Sequence, residues 1–263
     1  MSRSAPTHKF MSEDLYIPDQ IFPSDNSWEI PTLRLDVQPK GAEIPFLAYG
    51  EQKRTYDMRG TGTLHFYRDD YKFANIYDHP EKVLQHHPQN IVEPNFSLFN
   101  ETPPAFGLQA VYKKRWIARA MQERGIGVFA DLNVAQKFIK LNLIGIPRGY
   151  NAFATRGYSD RIPALEIEYA LAQAISGRDR PLFVCYGGGN GCRDFCNRVG
   201  AVYVTPIVIV KNKALALKQL LADGVIAFAE EDYSVQAIEE KQRQFWLDQV
   251  VDYATDVQHQ IGG

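Results

Sequence analysis

Long apolar runs are what this chain most lacks. No stretch approaches the roughly eighteen uninterrupted apolar residues that a membrane-spanning helix needs, so no membrane partner is expected. Cysteine is nearly as scarce, with three in 263 residues, Cys185, Cys192 and Cys196. An odd number cannot pair completely, and the spacing lacks the four-ligand pattern of a structural zinc site, which fits a reducing compartment. Residues 1–11 hold no apolar segment of secretion-signal length, and cytoplasm is the expectation. There is no fixed-period repeat and no low-complexity tract. What remains is 45% hydrophobic and 23% charged, the composition of an ordinary globular protein.

Large net charge is also missing, but the total of −2 hides a division. Residues 1–50 sum to −3, residues 81–225 to +7 and residues 226–263 to −6. A basic body between acidic ends permits a nucleic-acid partner without demanding one, since moderate asymmetry is also ordinary solvated surface.

Residues 1–45 read as an irregular arm, because Pro6, Pro18, Pro23, Pro31, Pro39 and Pro45 interrupt any helix and most ladder positions. From 46 to 225 short apolar runs alternate with helical ones. Thr63–Tyr67, Ile91–Glu93, Ile126–Ala130, Ala152–Thr155, Leu182–Tyr186 and Ala201–Thr205 read as strands. Helices are expected over Asp70–Tyr77 with Glu81–His86, Pro104–Arg124, Pro163–Ser176, Cys192–Val199 and Ala214–Asp223, punctuated by Pro104 and Pro163 at their starts and Gly125, Gly177 and Gly224 past their ends. In Pro163–Ser176 the stripe Ala164, Ile167, Leu171 and Ile175 is expected to face the core. The alternation predicts an α/β fold of mostly parallel β/α repeats, an incomplete or irregular TIM-like barrel, with an open doubly wound sheet as the alternative. Residues 226–263 form an acidic helical segment, and the apolar face Trp246, Val250, Tyr253 and Val257 predicts that 234–258 docks on the body or on a host or phage protein partner. Oligomeric state is not legible.

In a parallel sheet the residues just after each strand share one rim, where ligands bind. Asp69 and Asp70, Asn95 and Ser97, Asp131 and Asn133, Thr155 and Arg156, then Gly188 and Asn190, and finally Thr205 stand at these exits. The same residue types also cap helices. Asp69, Asp70 and Asp131 are the candidates for acid–base chemistry, and Asp69 and Asp70 for a divalent cation such as Mg²⁺, which would be needed only by an enzyme on phosphorylated substrates. Capping the following helix is the competing role for either. Tyr67-Arg68-Asp69-Asp70 has the letters of the polymerase Y-x-D-D signature but lacks the elements that should precede it. His86-His87-Pro88 ends a helix and lacks the strand setting of nuclease histidine pairs. The run Gly187 to Gly191 leaves backbone N–H groups free to cradle phosphate, yet has neither the ending of a P-loop nor the dinucleotide spacing. On the helix from Pro104, the residues Tyr112, Arg115 and Arg119 share one face suited to phosphates and stacked bases. Arg156 is a candidate phosphate clamp.

Leu64 to Phe73, Val92 to Ser97, Tyr112 to Trp116, Gly125 to Val128 and Ala152 to Gly157, in this order, resemble a domain-of-unknown-function family, DUF4417, found in bacteria, phages and plasmids. The resemblance covers roughly residues 30–158. It implies a protein carried by mobile elements, with a part in their replication, maintenance or regulation, and so a nucleic-acid-associated role. A metal-assisted enzyme on a phosphorylated small molecule or phosphodiester, and a protein-interaction module, are the alternatives. The family pattern Pro-Asp-Phe-Ser becomes Pro94-Asn95-Phe96-Ser97 here, which removes a group able to act as base or metal ligand. Phe129-Ala130-Asp131 likewise stands where Ile-Pro, a polar residue and Trp are expected.

Overall fold

The computed structural model describes residues 21–50 and 57–206. Among these residues seven strands, β1 (Phe46–Ala48), β2 (Thr61–His65), β3 (Pro88–Val92), β4 (Gly127–Asp131), β5 (Ala152–Arg156), β6 (Leu182–Tyr186) and β7 (Val202–Val204), lie in one sheet in chain order. Every registered pair from β1 to β6 is parallel. Between them run α1 (Glu81–Leu84), α2 (Pro104–Gln122), α3 (Ile139–Asn142), α4 (Ile162–Ser176) and α5 (Gly189–Val199), with short 3₁₀ turns at 70–72, 74–76 and 136–138. A strand order without reversal is that of singly wound β/α repeats, not of a doubly wound sheet.

The sheet is curled. Strands β2 and β6 are separated by three others, and at about 4.8 Å per step a flat sheet would hold them roughly 19 Å apart. Instead the rings of His65 and Tyr186 have centroids 4.1 Å apart, and Phe46 of β1 meets Phe129 of β4 at 6.2 Å. The inner face therefore closes on itself as an incomplete barrel filled by side chains, while helices cover the outer face. Short runs such as Val128 to Ala130 and Phe183 to Cys185 are buried on both sides, as strands of a helix-covered parallel sheet must be.

The expected strands and helices of residues 61–205 are present, β6 at its expected limits and the others with shifted ends, and the segment at 70–77 is two 3₁₀ turns instead of a helix. The Ala214–Asp223 helix, the segment 234–258 and the 225/226 boundary lie outside the described residues. No helix of the described residues is long and apolar enough to cross a membrane.

Residues 21–45 contain no regular element but cover α2. Phe22 packs on Trp116 with ring centroids 5.3 Å apart. The Gln122 side chain accepts from Arg34 N at 2.7 Å and donates to Arg34 O and Val37 O. Hence α2 is buried on both faces from Lys114 to Ala118 and from Ala120 to Gln122. Where α2 crosses the turn before α3, Gly107 leaves room for Phe138. An added Cβ would sit 2.2 Å from the Phe138 ring. Gly107→Ala should therefore destabilise by about 1–3 kcal/mol in urea unfolding, although alanine favours a helix by about 1 kcal/mol; a gain in stability would refute the packing argument.

Candidate functional site

Three loops at the carboxyl ends of β3, β4 and β5, together with the first turns of α4, enclose a cleft of about 570 Å³. This is within the size range of small-molecule sites and on the rim where such folds bind ligands. Asn95, Asn133, Arg161 and Glu168 supply polar groups, while Leu98, Phe99 and Ile167 are among its apolar lining.

Glu168 is 6% exposed. Its Oε2 accepts a 2.6 Å hydrogen bond from Thr155 Oγ1, and Oε1 lies 4.0 Å from Arg161 Nη2. Burial pushes its carboxyl up to about 8; the Thr155 hydroxyl opposes the rise, the charge of Asp131 adds to it, and Arg161 opposes it least. A carboxyl so placed carries its proton at neutral pH and can give it up within a narrow range, as a general acid or base requires. Arg161 also donates to Asn133 Oδ1 at 3.4 Å and lies over the Tyr158 ring at 5.1 Å.

Beneath the cleft, the Asp131 carboxylate accepts from Tyr67 Oη at 3.1 Å, Asn95 Nδ2 at 2.7 Å and Lys114 Nζ at 3.2 Å. Burial raises its pKa, opposed by Lys114 and Asn95. Glu93, also fully buried, pairs with the Arg115 guanidinium and accepts from Asp131 N at 3.0 Å. Two carboxylates and two cations thus form one closed network under the rim, and Asp131 is joined to the cleft lining through Asn95 Nδ2 and Asn133 N.

Asn95 Nδ2 donates at 2.7 Å to both Asp131 Oδ2 and Asn133 O. Asn95→Asp would set a carboxylate against two acceptors, and two carboxylates this close cannot both ionise. The variant should lose about 2–4 kcal/mol at pH 8, the scale of a buried charge left facing the wrong partner, and recover part of it at pH 5. An equal deficit in melts at both pH values would count against this account.

Of the residues expected from the sequence, Asn95 and Ser97 line the cleft, and Asp131 lies directly below it. Asp70 joins them indirectly, accepting from Ser97 N at 3.0 Å and Ser97 Oγ at 2.9 Å. Asp69 is exposed and makes no side-chain cap bond, so neither aspartate caps the turn that follows. Among the described residues no three His, Cys, Asp or Glu side chains are grouped as cation ligands. Arg156 ends β5 exposed, with its guanidinium 5.3 Å from the centroid of the Tyr158 ring.

The α2 face requires correction. Arg115 is fully buried against Glu93, Ile144 O and Asn142 O, and Arg119 is bound to Thr32 O and Glu123. Tyr112 is half-buried. The arm takes the place that a phosphate backbone would occupy. At the glycine run, Gly188 has φ +90°, and a Cβ there would lie 2.4 Å from Cys192 Sγ and 2.7 Å from Gly157 C. Close approach of two loops accounts for this glycine, and Asn190 is exposed in the first turn of α5. The sequence reading missed Glu168, Arg161 and Phe99. Glu168 was hidden because α4 buries Leu165, Glu168, Tyr169 and Ala172, one position round from the expected stripe, and leaves Ile167 47% exposed.

The sequence pattern of the domain-of-unknown-function family DUF4417 matches residues 22–195, a span that takes in β1 to β6 and every loop of the cleft. The chain belongs to the DUF4417 family. This DUF4417 protein is 31% identical over 180 residues to the "Gene 1 protein" of Mycobacterium phage L5, covering 66% of this chain and 77% of the phage protein. It is 28% identical over 180 residues to the "Gene 1 protein" of Mycobacterium phage D29, covering 66% and 65% respectively. The family is therefore phage-associated. No solved structure matches it.

Proposed function

We propose that this protein is an enzyme of a phage-type mobile element that acts on a small anionic molecule, with the rim cleft as its active site and Glu168 as the group that moves a proton. The observation that carries this reading is the Glu168 carboxyl, buried at the cleft with one oxygen held by Thr155 and the other near Arg161. With Glu168 protonated, Arg161 is the cation of the lining and Glu101 its remaining carboxylate, and the Glu168 carboxylic acid, the Arg161 guanidinium and the amides of Asn100 and Asn133 offer donors. A phosphate or carboxylate fits such a set. A carbon-13 titration of the Glu168 carboxyl should give a midpoint of about 8 that rises when a phosphate ester binds. A midpoint at the ordinary glutamate value, unmoved by phosphate esters, would overturn the assignment.

A second reading, direct association with nucleic acid, is supported by Arg156 and Arg161, which both lie over the ring of Tyr158, a residue of the cleft lining. Cations on an aromatic platform suit a single strand. Retardation of single-stranded DNA that weakens with salt and is lost in Arg156→Ala would support it; retention unaffected by the substitution would remove it.

A further inference from the structure

We infer that the ligand of the cleft is a nucleotide, its base stacked on Phe99 and its phosphate held at Arg161; this rests on the cleft being an anion site. Phe99 is 64% exposed and lines the cleft. It is not displayed by a loose loop. Phe99 N donates to Thr102 Oγ1 at 3.0 Å, and Thr102 N donates back to Phe99 O at 3.0 Å. Lys137 Nζ then ties the same turn to the β4 side of the cleft through Asn100 O at 3.2 Å and Thr102 O at 2.6 Å.

A braced turn that holds an aromatic ring in solvent gives up apolar burial, and it supplies a stacking surface whose ordering cost is met before the ligand arrives. The second exposed apolar side chain of the cleft, Ile167 at 47%, belongs to the α4 wall. Apolar surface at Phe99 and Ile167 and donors at Arg161 and Asn133 therefore line one cleft. A ligand matching that lining has a flat apolar-faced ring at one end and an anion at the other. The side-chain amides of Asn100 and Asn133 add donor and acceptor groups that read the edge of a base. A simple sugar phosphate would use Arg161 and leave Phe99 idle. An aliphatic anion would gain little from a planar face.

Calorimetric titration of the full chain with adenosine 5′-phosphate, thymidine 5′-phosphate and ribose 5-phosphate tests this. At least one nucleotide should bind about tenfold or more tightly than ribose 5-phosphate, the range expected for one stacked base. Phe99→Ala, at an exposed position, should remove that advantage while leaving ribose 5-phosphate unchanged, and Arg161→Gln should weaken all three. If both nucleotides bind no better than ribose 5-phosphate, the nucleotide inference fails while the anion cleft stands. If none of the three binds the wild-type protein, the anion reading fails with it. If Phe99→Ala leaves nucleotide binding unchanged, Phe99 is not the platform and the inference is likewise overturned.

Discussion

Glu93→Gln is expected to cost about 3–5 kcal/mol of folding stability, read as a shift in the urea midpoint with an unchanged slope. The amide keeps the shape of the side chain but not its charge. Arg115 is left fully buried with its guanidinium facing a neutral group, and Lys114 loses a carboxylate at 3.8 Å. Removing one partner of a buried pair strands the other charge away from water, which is why such losses exceed the net worth of the pair itself. Domain stabilities are typically about 5–15 kcal/mol, so this single atom exchange would consume a large part of the margin. Glu166→Gln is the matched control. Its partner Arg198 is 3.3 Å away, but the two side chains are 54% and 65% exposed, and solvent screens such a pair until little is left. Equal losses in the two variants would show that the Glu93 network does not anchor the buried core. The same experiment bears on the site, because Glu93 accepts from the Asp131 backbone and so holds the end of β4 on which Asn95 and Asn133 are arranged.

The alternation of short apolar strands with helices was legible because strands of a covered parallel sheet are apolar on both faces, and β6 stands at the expected limits, Leu182–Tyr186. β1 was not legible, because Phe46-Leu47-Ala48 is three residues long and follows Pro45 at the end of a proline-rich arm. That arm explains the largest error at the site. Helical periodicity shows that Tyr112, Arg115 and Arg119 share a face, but cannot show that residues 21–45 lie across it. In α4, two stripes compete at the same spacing. The more apolar one faces outward in part, and the one containing Glu168 faces the sheet because Thr155 of β5 meets its carboxyl. A buried carboxyl opposite a threonine on a neighbouring element leaves no local sequence signal. The rim residues Asn95, Ser97 and Asp131 were legible because strand exits are fixed once the strands are.

The stability of the protein against pH should form a plateau bounded by two named groups. Burial, helped by Arg156 and Arg68, lowers His65 from 6.5 to about 3, and its ring accepts from Tyr67 N through Nδ1. The unfolded chain therefore takes up a proton on this histidine below about 6.5 that the folded chain refuses until about 3. Stability contributed by neutral His65 is complete above 6.5 and is lost as pH falls through that window. Glu168 acts in the opposite sense, raised from 4.5 to about 8. Its folded form keeps a proton that the unfolded chain gives up, so the contribution is complete below 4.5 and is lost as pH rises toward and past 8. Between 4.5 and 6.5 the two slopes cancel, which places the plateau there. Each group contributes at most about 5 kcal/mol, because a tenfold change in proton affinity is worth about 1.4 kcal/mol. Glu168→Gln should abolish the alkaline limb and leave the variant more stable than wild type at pH 9, while matching it more closely at pH 5. His65→Phe should flatten the acid limb and let the alkaline one begin at 4.5 instead of 6.5, because nothing then cancels it. Urea midpoints of the three proteins from pH 3 to 9 decide the matter. An alkaline limb that survives in Glu168→Gln would mean that the cleft carboxyl ionises at its ordinary value, and the same result would remove it as a proton donor at neutral pH.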